Sequence, residues 1–313
     1  MITFYKTFDG IVKKIENLEE DCWVNVISPK KDELEFLKTQ LQIPDEFLMS
    51  SLDEEESSHI ETEGQHTLII IDMPYAEDAG NGVTEYYTMP IGIVMMKGYI
   101  ITISTKPNPV IESIAKGAIK NLNTAHRTQF VLHLLLRMSM LFLQYLKQID
   151  KRSSALEKQL RVSMRNKELI QLLELEKSLV YFQTSLKSDE ITLEKILRSR
   201  SIKLYEEDQD LLEDVIIEIK QAIEMSNIYL SILSGTMDAF ASLISNNLNI
   251  VMKVLTSITI VMAIPEIIFS FYGMNIGLES ALPFAGTVWV PLMLTVVIGL
   301  IVSVWLYKKG MFK

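Results

Sequence analysis

The sequence predicts an α+β membrane protein. An N-terminal cytoplasmic α/β domain precedes a long helical stalk, which continues into the first of two C-terminal transmembrane helices. Three observations predict this fold class. Six prolines fall before residue 110 and none between there and Pro265, so the intervening chain, rich in Leu, Glu, Lys and Gln, should be almost entirely helical. Apolar residues recur in steps of three and four after Asp208. Two apolar segments of membrane-spanning length lie near the C-terminus.

Residues 1–108 form the predicted cytoplasmic α/β domain. Ser28 and Pro29 predict the N-cap and the first residue of a helix, and Lys97-Gly98 predicts the turn of a hairpin. Short runs rich in branched residues predict four strands: Trp23–Ile27, Thr67–Ile71, Ile91–Met96 and Tyr99–Ser104.

One acidic stretch of this domain raises the question of a metal site. The spacing of its carboxylates and histidines matches no ligand pattern, so a solvated loop that leads into a strand is the better interpretation. The residues concerned are Asp53, Glu54, Glu55, Glu56, His59, Glu61, Glu63 and His66.

Residues 109–207 are predicted to be a cytoplasmic helical region, with polar breaks near 121–124, 163–166 and 199–208. Residues 208–272 are predicted to be one stalk helix, about 100 Å long at about 1.5 Å per residue. Because no compact domain needs such a helix, we expect it to bundle with copies of itself. Its heptad-like stripe consists of Leu212, Val215, Ile219, Ala222, Ser226, Tyr229, Leu233, Met237, Phe240 and Ile244.

The first predicted span covers about 252–272 and the second covers 288–307, followed by the basic tail 308–313. Lysines lie before the first span and after the second, whereas the connecting loop 273–287 has none. The positive-inside rule therefore places both termini in the cytoplasm and the loop outside. We expect a multi-pass protein of the plasma membrane, surrounded by lipid.

Charge and cysteine content agree with this arrangement. Residues from Ile250 onward carry four Lys and two Glu, a net of +2, so the preceding chain carries −12 within the total of −10. An acidic soluble part argues against nucleic acid as a partner and is suited either to attracting cations or to solubility alone. Cys22 is the only cysteine, which is typical of a reducing compartment, and the first residues do not resemble a signal peptide.

The first span carries a stripe of polar and small residues at alternating steps of three and four. Such a stripe should face a water-filled path or another helix, because unpaired polar groups in lipid cost several kcal/mol. Glu266 favours the water-filled path, since a carboxylate within a span is costly. The stripe consists of Asn249, Met252, Thr256, Thr259, Ala263, Glu266 and Ser270, and Leu255 is also a candidate pore residue.

Tyr272-Gly273-Met274-Asn275 closes the first span, and Phe271 precedes it. A Gly-Met-Asn tripeptide between two adjacent spans resembles the signature of the CorA family of divalent-cation transporters. The stretch from Asn249 to Thr256 also looks like the family's inner-pore sequence. The resemblance covers the whole architecture, from the α/β domain to the lysine-rich tail.

The resemblance implies a homopentameric channel-type transporter for Mg²⁺, driven by the membrane potential and gated by cytoplasmic Mg²⁺. The five first spans would line the pore. Gly273, Met274 and Asn275 would form the outer selectivity filter, where a ring of Asn275 amides holds Mg²⁺ through its water shell. Asp214 matches a regulatory acidic position, with Glu77 or Asp78 of a neighbouring subunit as its partner. Mg²⁺ would be substrate and regulatory ligand, and no other cofactor is implied.

Two departures keep alternatives open. The loop from Ile276 to Pro283 is less acidic than in the best-known members, and Glu266 stands where a neutral polar residue is more usual. Zn²⁺, Co²⁺ or Ni²⁺ remain the alternative substrates, because the chain also resembles the architecture of the Zn²⁺-handling ZntB branch. A non-conducting membrane-anchored sensor or scaffold is the alternative from another class. An enzyme is not expected, since no nucleotide loop or Ser-His-Asp arrangement is found.

Overall fold

The computed structural model describes residues 1–80, 83–119, 122–163, 166–198, 202, 205–274 and 287–312. The chain divides into two compact units, Met1–Gly235 and Thr236–Lys313. The N-terminal unit is built on one mixed sheet with helices packed against it, and the C-terminal unit is helical. This is the predicted α+β class.

The sheet has seven strands in the order β2-β1-β3-β7-β6-β5-β4. All neighbouring strands are antiparallel except β3 and β7, which run parallel. A parallel pair needs a crossover connection, and here the chain between β3 and β7 contains two helices and three strands. The strands are β1 (Ile2–Phe8), β2 (Ile11–Ile15), β3 (Cys22–Ile27), β4 (His59–Glu63), β5 (His66–Gly80), β6 (Val83–Met96) and β7 (Tyr99–Ser104).

The predicted hairpin is confirmed, but β5 and β6 extend well beyond the predicted strands Thr67–Ile71 and Ile91–Met96. Pro74 and Pro90 lie inside these longer strands. Both lie where their strand is hydrogen-bonded on one side only: β4 pairs no further than Ile70, and β7 pairs no further than Gly92. A proline without an N–H is tolerated on such an open edge. The sequence did not predict β1, β2 or β4.

The helix predicted to start at Ser28 and Pro29 instead begins at Lys31. Ser28 has a left-handed φ of 44°, and its N–H donates to the Ser104 carbonyl at 2.8 Å, which ties it to the end of β7. Glu33 supplies the N-terminal cap by accepting from the Lys30 N–H at 2.8 Å. The prediction that the helix starts at Ser28-Pro29 was wrong because the Ser28 N–H is hydrogen-bonded to the end of β7.

Seven helices are described in the two units. In the N-terminal unit α2 packs against β6 and β7, while α4 and α5 pack together and against the sheet. Asn108 caps α3 by accepting from the Val110 N–H at 2.8 Å. The helices are α1 (Lys31–Gln40), α2 (Asp45–Leu52), α3 (Pro109–Ala115), α4 (Arg127–Ser163), α5 (Asn166–Arg198), α6 (Glu206–Tyr272) and α7 (Trp289–Lys308).

Three of these helices are long and apolar enough to cross a membrane, but burial distinguishes them. The most apolar window of α4 is 61% buried inside the chain, whereas those of α6 and α7 are 6% and 11% buried. The apolar face of α4 therefore belongs to the core of the N-terminal unit. The two uncovered windows correspond to the two predicted spans.

Most of the heptad-like stripe of α6 is buried within its own chain, so these members pack against other parts of the same chain instead of against copies of it. Leu212, Val215, Ile219, Ala222 and Ser226 are all fully buried. The Ser226 hydroxyl donates to the Leu179 carbonyl of α5 at 3.2 Å, and Lys220 pairs with Glu194 of the same helix at 3.3 Å. A stripe of this period predicts a helical partner but does not say whether that partner is another subunit or a neighbouring helix.

Candidate ion-conduction site

The predicted pore stripe lies on one face of α6 and is open in the single chain. Every member is exposed except Ala263, which is partly covered. Leu255, at the edge of the stripe, is also exposed. The Thr259 hydroxyl donates to the Leu255 carbonyl one turn earlier, at 2.9 Å, so it needs no partner outside the helix. The exposed members are Asn249, Met252, Thr256, Thr259, Glu266 and Ser270.

A different face of the same helix segment is covered. Ser257 is fully buried, and its hydroxyl donates to the Lys253 carbonyl at 2.8 Å and to the Met311 carbonyl, just beyond α7, at 3.3 Å. At about 100° per residue this covered face lies roughly 150° around the helix from the polar stripe. The stripe is therefore left free. The residues that share the covered face and are partly covered are Val254, Val261, Ile264 and Ile268.

Pro265 interrupts the hydrogen bonding of this segment just before Glu266. It lies inside α6, and a proline has no N–H to donate to the carbonyl four residues earlier, at Val261. The sequence reasoning used Pro265 only to mark the end of the proline-free region. Because Pro265 lies inside a continuous span, the Val261 carbonyl lacks its usual helical donor and joins the polar groups near Glu266.

The helix ends at Tyr272, directly before the signature tripeptide. The Gly273 N–H donates to the Phe269 carbonyl at 2.9 Å, and a Cβ added at Gly273 would lie 3.2 Å from that oxygen. Gly273 does not have a positive φ, so close approach to the last turn explains the glycine better than a left-handed backbone. Met274 is exposed. Asn275 lies outside the described residues.

The predicted regulatory carboxylates are distributed over two elements of the N-terminal unit. Asp214 is exposed on α6, and Glu77 and Asp78 are exposed near the end of β5. The described residues contain no group of three or more His, Cys, Asp or Glu side chains placed to hold a metal ion.

Glu77 already has two partners that the sequence did not suggest. It accepts hydrogen bonds from the Tyr87 hydroxyl at 2.8 Å and from the Lys106 ammonium at 3.3 Å, and these lower the pKa of its carboxyl. Asp78 accepts from the Gly80 N–H at 2.9 Å, where the strand pairing shifts register. The Glu77 charge is thus balanced within the chain.

Comparison with known proteins identifies the architecture. Residues 19–308 match the family described as CorA-like Mg²⁺ transporter protein. The chain belongs to the CorA family. It is thus a membrane transporter of Mg²⁺ or related divalent cations, in a family that is not one of enzymes.

Individual relatives agree with this assignment over nearly the whole chain. The cobalt/magnesium transport protein CorA of Methanocaldococcus jannaschii is 27% identical over 300 residues, which cover 92% of this CorA-family chain and 90% of that protein. The complete structure of the M. jannaschii CorA magnesium transporter has a TM-score of 0.80 at 23% identity, covering 99% and 96% of the two chains.

Two further solved structures share the fold at lower identity. The full-length CmaX protein has a TM-score of 0.70 at 14% identity, covering 99% of this chain and 97% of that one. The ZntB cytoplasmic domain from Vibrio parahaemolyticus has a TM-score of 0.59 at 13% identity, covering 78% of this chain and 96% of that one. The fold is therefore shared with ZntB, over the part of the chain that its cytoplasmic domain covers.

Proposed function

We propose that this chain forms a homopentameric channel-type transporter for Mg²⁺, driven by the membrane potential and gated by cytoplasmic Mg²⁺. The observation that carries the proposal is the open polar stripe of α6. Lipid is a poor environment for Asn249, Thr256, Glu266 and Ser270. A ring of α6 helices satisfies these groups by turning them toward a shared aqueous axis.

The chemistry of the stripe suits a hydrated, oxygen-seeking ion. Its polar members offer amide, hydroxyl and carboxylate oxygens, and α6 contains no histidine or cysteine. Mg²⁺ binds oxygen and gives up its waters reluctantly, whereas Zn²⁺ also seeks nitrogen and sulfur ligands. The thioethers of Met252 and Met274 are the soft groups on this path, and they keep Co²⁺, Ni²⁺ and Zn²⁺ as the competing substrates on the same scaffold.

In this proposal Asn275 selects the ion at the outer end. Its amide oxygens, repeated around a ring, accept hydrogen bonds from the waters that Mg²⁺ retains. Gly273 and Met274 place this ring directly beyond the last turn of α6. Inward movement is driven by the potential, because a divalent ion gains about 4.6 kcal/mol per 100 mV.

Both termini face the cytoplasm in the proposed topology. Lys308 ends α7, and Lys309 follows it with its ammonium over the Trp305 ring, 4.4 Å from the ring centroid. Positive charge and an aromatic ring at the end of a span are typical of the interface between membrane and cytoplasm. The N-terminal unit, which carries most of the acidic residues, then lies where cytoplasmic Mg²⁺ can reach it.

Gating is proposed to use Asp214 together with Asp78 or Glu77 of a neighbouring subunit. A Mg²⁺ ion between exposed carboxylates of two subunits offsets their mutual repulsion and holds the subunits together. Lys106 already balances Glu77, so Mg²⁺ would have to displace it there. Asp78 and Asp214 have no ion pair among the described residues and are therefore the preferred ligands.

The decisive experiment is ion uptake into proteoliposomes under an inside-negative potential. We expect Asn275→Ala to abolish Mg²⁺ uptake while the purified assembly keeps its size, because the lost amide contacts ion-bound water and joins no subunits. Leu278→Ala, in the same loop, is the matched control and should transport normally.

The same assay separates the competing functions. Preferred uptake of Zn²⁺, Co²⁺ or Ni²⁺ over Mg²⁺ would reassign the substrate. Absence of uptake of any of the four ions by the wild-type assembly would leave the sensor or scaffold as the better description. Normal Mg²⁺ uptake by Asn275→Ala would remove the role assigned to that residue.

A further inference from the structure

A carboxyl group is completely enclosed between α5 and the sheet. Asp189 of α5 is 0% exposed. Its Oδ1 accepts a hydrogen bond from the Ser58 hydroxyl at 2.6 Å and another from the Asp72 backbone N–H at 3.0 Å. Ser58 lies directly before β4, and Asp72 lies on β5. One oxygen atom therefore ties α5 to two segments of the sheet layer.

The second oxygen of the same carboxyl has no such partner. Asp189 Oδ2 is buried and meets no hydrogen-bond donor among the described residues. An ionised carboxylate is acceptor-only, so it would leave this oxygen desolvated and unpaired, which is costly. A protonated carboxyl carries an O–H at the same position and becomes a donor.

A second carboxyl group acts on Asp189 from β5. The side chain of Asp72 is partly buried and interacts electrostatically with Asp189. Ser185, one turn before Asp189 on α5, hydrogen-bonds the Asp72 carboxyl, and the Ser185 hydroxyl lies 2.8 Å from that of Thr88 on β6. Through this hydrogen bond the Asp72 carboxyl acts as an acceptor next to the enclosed carboxyl of Asp189.

The remaining charged groups near this site are directed elsewhere. On α5, Lys187 is exposed and Glu190 pairs with Lys220 at 3.6 Å. Beside Ser58, the His59 ring lies 3.7 Å from the Glu56 carboxylate.

The α4 helix, which packs against α5, presents an apolar face at this level. Its buried residues there include Leu135 and Phe142, and Phe142 contacts Phe182 of α5 with ring centroids 5.1 Å apart. The charged groups of α4 nearest in sequence, His133 and Arg137, lie two positions along the helix from Val131 and Leu135, roughly on the opposite side. Thr88 is the polar group that β6 contributes.

We propose that Asp72 and Asp189 form a proton-binding pair, which holds one shared proton on Asp189 Oδ2 and fastens α5 to β5 and to the segment before β4. The proton adds the missing donor and removes one of two like charges from the interior. A metal ion fits less well, since it would need several further oxygen ligands and the described residues offer no third carboxylate.

The direction of the pH effect follows from the burial. Desolvation, with the Asp72 charge as a second cause, raises the pKa of Asp189 well above its ordinary value, and burial also raises the pKa of Asp72. A raised pKa in the folded state means that folding favours the protonated form. The stabilisation is complete below the unfolded pKa and is lost as pH rises through the folded pKa. Acidification should tighten the attachment of α5, and alkalinisation should loosen it.

Hydrogen–deuterium exchange of the full-length protein in detergent tests this directly, without any transport measurement. Local opening of peptides covering 53–60 and 183–192, corrected for intrinsic exchange, should increase with pH by up to about tenfold per unit, the limit for release of one proton. Asp189→Asn supplies an amide N–H in place of the proton, so its peptides should stay protected and lose the pH dependence. Asp210→Asn, at an exposed site on α6, should behave as wild type.

Infrared difference spectra give a second readout that packing alone would not change. At neutral pH the wild type should show the C=O band of a protonated carboxyl, sensitive to deuteration and absent in Asp189→Asn. If Asp189→Asn does not fold, Asp72→Asn serves instead. The amide introduced by that substitution can donate to an ionised Asp189, so the pH-dependent opening and the band should both be lost.

Three results would overturn the proposal. One is the absence of a protonated-carboxyl band in the wild type. Another is unchanged pH-dependent opening in Asp189→Asn. The third is restoration of protection at high pH by MgCl₂ in the wild type but not in Asp189→Asn, which would identify a divalent cation as the ligand.

Discussion

The N-terminal unit buries its apolar residues within the chain, whereas the membrane segments of the C-terminal unit leave theirs open. In the N-terminal unit the face of α4 that is apolar enough to cross a membrane is covered by the sheet and α5. In the C-terminal unit Ile258, Ile267, Val297 and Ile301 are exposed. Exposed apolar surface of this extent means a lipid or protein partner. Apolarity alone therefore does not distinguish a core helix from a membrane helix; the neighbours of the helix do.

The same contrast runs along α6 itself. The first part of its stripe, from Leu212 to Phe240, is buried or partly buried within the chain and contacts α5 as far as Ser226. In the second part, Ile244, the last member of the stripe, is exposed, as are Leu243 and Leu248 beside it. If the chain assembles as proposed, contact between subunits should concentrate in the second part.

The largest expected effect tests whether the first part of the stripe really packs within the chain. Ala222 is fully buried, and Ala222→Leu should lower the free energy of unfolding of the N-terminal unit by about 1–3 kcal/mol through overpacking. Gln221→Leu, at the exposed neighbouring position, should change it by no more than about 0.5 kcal/mol. Denaturant unfolding followed by circular dichroism measures both. An altered oligomeric state with unaltered stability in Ala222→Leu would show that this part packs between copies instead.

A smaller effect is expected at the open acidic surface of the N-terminal unit. If Asp214 binds regulatory Mg²⁺, millimolar Mg²⁺ should protect the wild-type unit from protease, and Asp214→Lys should weaken that protection. Glu224→Lys makes the same charge change at another exposed position of α6 and should retain it. Identical digestion of the wild type with and without Mg²⁺ would count against gating by this ion.

The smallest expected effect concerns Glu266 in the C-terminal unit. Glu266→Gln removes a charge from the proposed ion path but keeps the shape and a polar oxygen, so we expect a several-fold lower Mg²⁺ flux in an intact assembly. Ile258→Val, on another face of the span, is the control and should conduct normally. Flux and oligomeric size should be measured on the same samples. Loss of assembly without a change in flux per assembled channel would mean that Glu266 pairs with a neighbouring helix.

Much of the fold follows from local signals in the sequence. The absence of proline between Pro109 and Pro265 predicted a helical region, and residues 109–272 are mostly helical apart from short connections. Lys97-Gly98 predicted the β6–β7 hairpin correctly because a tight turn needs a residue at positive φ, and Gly98 has a φ of 84°. The Gly-Met-Asn signature pointed to the family because it is local and lies between two spans.

Other features depend on contacts between residues far apart in the chain, and no local pattern reveals them. Ser28 is held at the end of β7 instead of capping a helix because the Ser104 carbonyl accepts its N–H. Glu77 is paired because Lys106, almost thirty residues away, reaches it. Asp189 in the sequence Lys-Ser-Asp-Glu reads as a surface residue of a polar helix turn, yet it is enclosed because α5 lies across β5 and β4.

By itself the sequence determined which segments are helical, where the chain can cross a bilayer, and which family it belongs to. These depend on proline content, apolar length and one short motif, all of which act over a few neighbouring residues. Only the tertiary structure decided which apolar stripe is core and which is surface, which carboxylates are free, and which one lies enclosed beside another. Burial and pairing depend on two surfaces in contact, and the sequence of a single strand or helix describes only one of those two surfaces.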